Sequence, residues 1–177
     1  MPAFNDHRTD EAQWRLWRLS TGAMSPLIFL GDSKACQQAA QALCEHAREE
    51  SCLTLQIEAS ASCDVLATLR DQAAALTAAE LGESVVSLAS WQWAEYLDDL
   101  HEITNRPILL VVSEMDAVAD RPDPDVVCAS LRSAIQQRRR WLYLVLSGVA
   151  HGAFGGWLQD CSHPFYEVGP VEYLHGV

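Results

Sequence analysis

Three short runs of consecutive apolar residues constrain this chain more than any other feature. They are Pro26-Leu27-Ile28-Phe29-Leu30, Ile108-Leu109-Leu110-Val111-Val112 and Trp141-Leu142-Tyr143-Leu144-Val145-Leu146. Each is stopped by small or polar residues: Gly31, Ser113-Glu114 and Ser147-Gly148 respectively. A strand that is apolar on both faces must be covered on both faces, which is the situation inside a parallel sheet flanked by helices. Cys52-Leu53-Thr54-Leu55-Gln56-Ile57-Glu58 behaves differently, placing Leu53, Leu55 and Ile57 on one side, and reads as an edge strand. Phe165-Tyr166-Glu167-Val168 reads as a fifth strand.

The segments between these runs carry helical spacing. Lys34 to Glu50 has a face made by Ala39, Ala42, Leu43, Cys44 and Ala47, with Asp32 or Ser33 as its cap. Asp64 to Leu81 is rich in Ala and Leu and stops at Gly82. Ser87 to Thr104 carries Trp91, Ala94, Tyr96, Leu97, Leu100 and Ile103, and Val126 to Arg140 ends in basic residues that suit the helix dipole. Residues 1–20 place Trp14, Leu16, Trp17 and Leu19 among charges, as in a short amphipathic helix. Alternating strands and helices predict an α/β fold: an open, mostly parallel five-stranded sheet with helices on both faces. The expected division is an N-terminal helical extension over 1–22 and one α/β domain over 23–177.

With 177 residues and 49% apolar content, the chain suits one domain with one buried core. No apolar run approaches the ~18 residues of a membrane span, and the polar stretch Met1 to Arg18 lacks the apolar centre of a secretory signal. None of the six cysteines forms a CxxC pair, so they read as thiols of a reducing compartment and the expected location is cytoplasmic. The formal charge of -12 works against attraction to a nucleic-acid backbone and favours protein partners.

Three places carry a resemblance. Leu30-Gly31-Asp32-Ser33-Lys34-Ala35-Cys36-Gln37-Gln38 joins the first strand to its helix, Ile108 to Glu114 forms the strongest strand, and Leu142 to Gly148 forms the next. In this order they resemble the core of ASCE-type P-loop ATPases, the group that includes AAA+ and STAND ATPases. The resemblance implies a Walker A loop of pattern G-x-x-x-x-G-K-[ST], whose amides cradle phosphate, whose Lys neutralises it and whose hydroxyl holds magnesium. Gly31 matches the first position. Cys36, Gln37 and Gln38 stand where the second Gly, the Lys and the hydroxyl belong, and Lys34 lies three positions too early. The strand after Ile108 looks like a Walker B strand, which in the family ends in Asp-Glu. Here Ser113 replaces the Asp, Glu114 holds the Glu position and Asp116 follows. Ser147 matches the polar sensor-1 position, and Pro164 to Val168 looks like the family's fifth-strand region.

Plainer roles stand beside these. Gly31 to Lys34 also reads as an ordinary capped strand-to-helix turn, and Glu114 and Asp116 as a solvated strand end. His151, Cys161 and His163 fit no zinc spacing, so no metal is expected. Trp91 and Trp93 cannot face the same way on a helix, and Trp93, with Trp14 and Trp17, is a candidate interface anchor. The expectation is a catalytically inactive, cofactor-free ATPase-like domain acting as a protein-interaction or regulatory module, self-association included. The enzyme alternative is a divergent NTPase or hydrolase that uses Lys34, Glu114 and Asp116.

Overall fold

The three apolar runs lie side by side as the interior strands of one sheet in a computed structural model that describes residues 7–21, 26–60, 64–81 and 93–175. The elements run α1 (His7–Ser20), β1 (Leu27–Gly31), α2 (Ser33–Glu49), β2 (Leu53–Glu58), α3 (Val65–Leu81), α4 (Trp93–Thr104) and β3 (Ile108–Ser113). A 3-10 turn over Met115–Asp120 follows, then α5 (Pro124–Arg138), β4 (Leu142–Gly148), α6 (Ala153–Trp157) and β5 (Val171–Leu174). The strands form a five-stranded sheet in the order β2-β3-β4-β1-β5, and every pairing is parallel.

Burial follows position in the sheet. All of β4, and β1 and β3 up to their last residue, are buried, whereas edge strand β2 alternates buried and exposed positions. Alternate residues of the interior strands enter two cores, because successive side chains point to opposite faces. Ile28, Leu110 and Leu144 meet Leu69, Leu97, Leu131 and Phe154, from α3, α4, α5 and α6. Leu27, Phe29, Val111 and Val145 meet Leu16 and Leu19 of α1 and Leu43 and Ala47 of α2. Both faces are thereby covered, as two-sided apolar runs require.

Helix α1 is tied to the far edge of the sheet as well. Arg15 and Arg18 both bind Glu172 of β5, at 2.9 and 3.3 Å, and the Arg15 guanidinium lies over the Phe29 ring at 5.3 Å. The pairs are shielded on one side by protein, and they join helix to strand across more than 150 residues of sequence.

The fifth strand lies later than the sequence predicts. Phe165 to Val168 forms turns, and β5 is Val171–Leu174. Phe165 is fully buried against Phe154, ring edge to face at 6.0 Å. Glu167 has a φ of 47°, which a strand cannot accommodate. What the apolar character of this segment encodes is an anchor into the core. Strand β5 instead pairs with β1, where Ile28 N–H donates to Pro170 O and Asp32 N–H to Leu174 O. The predicted start of α4 at Ser87, with Trp91, and the predicted stop at Gly82 lie outside the described residues.

Candidate functional site

In open parallel sheets ligands bind at the carboxyl ends of the strands, where connections leave in opposite directions. Here β1 connects toward β2 and β4 connects toward β5 on the other side, so that crevice falls between the neighbours β1 and β4. Of the residues singled out in the sequence, Ser33 and Glu114 meet across it.

Strand β1 ends at Gly31 and α2 begins at Ser33, leaving Asp32 alone between them. Asp32 is the N-cap: its carboxylate accepts the Ala35 N–H at 3.1 Å and its carbonyl accepts the Cys36 N–H at 2.9 Å. The side chain therefore satisfies a helix N-terminal donor that a bound anion would otherwise use. Ser33 to Gln38 are helical, so no multi-residue loop of amides precedes the helix. Lys34, Gln37 and Gln38 are exposed on α2, while Cys36 is buried in the second core. Burial, with the nearby Asp32 and Glu114, pushes the Cys36 thiol up to about 11. Gly31 has a φ of 157°, and a Cβ there would stand 1.8 Å from Leu174 O. The close approach of β5 accounts for this glycine.

Glu114 follows β3 in the left-handed region, φ 58° and ψ 42°, and turns the chain into the 3-10 turn. Its carboxylate accepts a hydrogen bond from Ser33 Oγ at 2.5 Å. Because β4 lies between β1 and β3, this bond spans the carboxyl end of β4. Ser113 points elsewhere: its Oγ donates to Ile57 O at 3.2 Å, and its carbonyl accepts the Ala59 N–H, fastening β3 to β2. Ser147 is buried in β4, in register with Phe29.

Glu114 and Asp116 are held by different partners. Asp116 uses both carboxylate oxygens on backbone donors beyond β4, accepting from Val149 N at 2.6 Å and Phe154 N at 3.0 Å. A Cβ at Gly152 would stand 2.0 Å from the same carboxylate. Asp116 thus holds the β4–α6 connection in place. The sequence signal for this role is a Gly-rich stretch facing an acid, and it becomes legible only once the two are known to be neighbours.

Lys34 faces the α1 side. With Arg15, Asp32, Gln38 and His175 it lines an open groove of about 340 Å³ between α1 and α2. On α1, Leu16 and Leu19 point inward while Trp14 and Trp17 are 50% and 62% exposed. The Arg18 guanidinium covers one face of the Trp14 ring at 4.1 Å. Trp93 corrects the sequence expectation of an interface anchor. It is 6% exposed, and its indole N–H donates to Ser130 Oγ at 2.9 Å. Helix α4 turns this residue to the core, and its polar edge finds a partner on α5.

His151 and Cys161 are exposed, whereas His163 is turned inward against Trp157. Among the described residues, no three His, Cys, Asp or Glu side chains converge as a metal site, and no helix is long and apolar enough to cross a membrane.

No family model matches this sequence, and no curated protein matches it. Solved structures do. The ORC1 protein of Aeropyrum pernix, in complex with DNA, is 16% identical with a TM-score of 0.56 over 98% of this chain and 46% of its own. The ORC2 protein of the same organism, with ADPNP and ADP, is 15% identical with a TM-score of 0.59 over 99% and 48%. A Walker-type ATPase of Pyrococcus abyssi is 12% identical with a TM-score of 0.62 over 97% and 53%. The chain spans about half the length of these structures. At these identities the likeness is one of fold: an open parallel α/β sheet of the kind found in P-loop ATPases.

Proposed function

We propose that this chain is an ATPase-like domain without nucleotide chemistry, serving as a protein-interaction or regulatory module. The carrying observation is the β1–α2 junction. A nucleotide needs free amides and a cation at this helix end. Here the Asp32 carboxylate takes one of those amides, the Ala35 N–H, and Ser33 is joined to Glu114 across the crevice. An entering phosphate meets negative charge at both positions.

The enzyme alternative requires Lys34, Glu114 and Asp116 to act together. Lys34 lines the α1–α2 groove, and Asp116 is occupied by two backbone donors, so the geometry favours the non-catalytic reading. The Aeropyrum pernix ORC1 neighbour is in complex with DNA. For this chain, a formal charge of -12 opposes the phosphate backbone, and the exposed Trp14 and Trp17 are side chains of the type that anchor protein interfaces.

Calorimetric titration of the purified chain with ATP, ADP and GTP in the presence of magnesium tests the proposal. Absence of heat and of a thermal shift is expected. Micromolar binding that is lost in Glu114→Gln would overturn it in favour of a divergent NTPase.

A further inference from the structure

The segment joining α6 to β5 is built around an imidazole whose two nitrogens are in different situations. The His163 ring stacks on Trp157, centroids 4.6 Å apart and planes 8° apart. Its Nδ1 accepts the Phe165 N–H at 3.2 Å. An acceptor nitrogen carries no proton, so the neutral ring holds its hydrogen on Nε2. That Nε2 is buried and has no hydrogen-bond partner. The carboxylate of Asp125 on α5 stands 3.7 Å away, beyond hydrogen-bond reach but close enough to attract charge.

We propose that His163 is a proton-operated latch on the segment Trp157 to Val168, closed when the ring is neutral and released when it is protonated. A proton added to Nδ1 faces the Phe165 N–H, placing two donors 3.2 Å apart where one bond had been. The same charge draws Nε2 toward Asp125. Phe165 is the apolar anchor of the segment, fully buried against Phe154, so losing its amide bond loosens the link between the core and β5.

The charged groups facing the ring are few. Asp125 comes from α5, and Asp160 from the turn before His163; both favour the protonated ring. Arg132, also on α5, is engaged with Pro164 O. Helix α6 contributes the neutral Trp157 ring. Burial is the largest influence and lowers the His163 pKa below 6.5. A base whose folded pKa is depressed contributes stability that is complete above its unfolded value, about 6.5, and is lost as pH falls from there toward the folded value. The latch is therefore held closed above about 6.5 and is progressively loosened as pH falls below it.

Hydrogen exchange of the Phe165 amide in the full chain, corrected for intrinsic rates, tests this from pH 7.5 to 5. One linked proton allows opening to increase by up to about tenfold per pH unit below 6.5. Opening in wild type should rise as pH falls below 6.5, and His163→Asn should be flat, because the Asn carbonyl accepts the same N–H without titrating. A second readout is Trp157 fluorescence, taken as the difference from Trp157→Phe, with a pH midpoint that falls in Asp125→Asn. Parallel slopes in wild type and His163→Asn, an unprotected Phe165 amide at pH 7.5, or a midpoint indifferent to Asp125 would each overturn the latch.

Discussion

Ser33 and Glu114 are joined side chain to side chain across the carboxyl end of β4, 2.5 Å apart and 81 residues apart in sequence. The bond connects the start of α2 to the end of β3 over the crevice where open sheets of this kind hold ligands. Ser33→Ala and Glu114→Ala are expected each to cost about 0.5–1.5 kcal/mol. The double variant should cost little more than either single one. Urea unfolding of the four proteins as a double-mutant cycle checks this, and additive losses would mean the pair is not coupled.

Gly31 is where β5 comes closest to β1. In Gly31→Ala the new Cβ overlaps Leu174 O at a backbone angle unfavourable to any side chain. The expected loss is more than ~2 kcal/mol. Hydrogen exchange should show it first at the Ile28 and Asp32 amides, which bond to Pro170 and Leu174. Retained protection at both amides would show that β5 tolerates the shift.

Asp116 is expected to behave as a structural residue. Asp116→Ala strands the Val149 and Phe154 amides and should cost about 1–3 kcal/mol, while Asp116→Asn, which keeps one acceptor, should cost less. Thermal unfolding of both variants measures the difference. Equal and negligible losses would return Asp116 to the list of free carboxylates at the strand ends.

The tryptophans should separate by burial. Trp93→Ala removes a core side chain bonded to Ser130 and should cost about 3–5 kcal/mol. Trp17→Ala, on the exposed face of α1, should change stability by about 0.5 kcal/mol or less. Chemical denaturation gives both values, and a large loss at Trp17 would place its ring in the core.

Thiol reactivity follows the same division. Burial raises the pKa of Cys44 and Cys52, and pushes Cys36 to about 11 and Cys128 to about 12. A raised thiol pKa keeps the unreactive neutral form. At pH 8 about a thousandth of Cys36 is thiolate, and less of Cys128. Cys161 is the exposed thiol among the described residues. With Cys63 replaced by Ser, a thiol reagent at pH 8 should titrate one group quickly in the native protein and all five after denaturation. Fast reaction at Cys36 in the native state would show that the α2 terminus opens readily.

Much of this architecture is local information. Continuous apolar runs at Leu27, Ile108 and Leu142 announce interior strands because both faces need cover, and alternation at Leu53, Leu55 and Ile57 announces an edge. Asp32 before a helical repeat announces a cap through a bond only three residues long. The segment at Phe165 misleads because an apolar residue anchoring a turn and one lying in a strand leave the same mark over four positions.

The site shows the same division more sharply. Residue order along the chain identifies the groups at the strand ends, and shows Cys36, Gln37 and Gln38 at positions where a phosphate loop carries other residues. What those residues meet is fixed by the folded arrangement of the strands. That arrangement set β4 between β1 and β3, bound Glu114 to Ser33, committed Asp116 to the connection after β4 and turned Trp93 inward. Local pattern reports a residue's burial and spacing, which its neighbours in sequence largely set. Partners across a parallel sheet arrive through long crossovers, and their identity depends on the order in which the strands assemble.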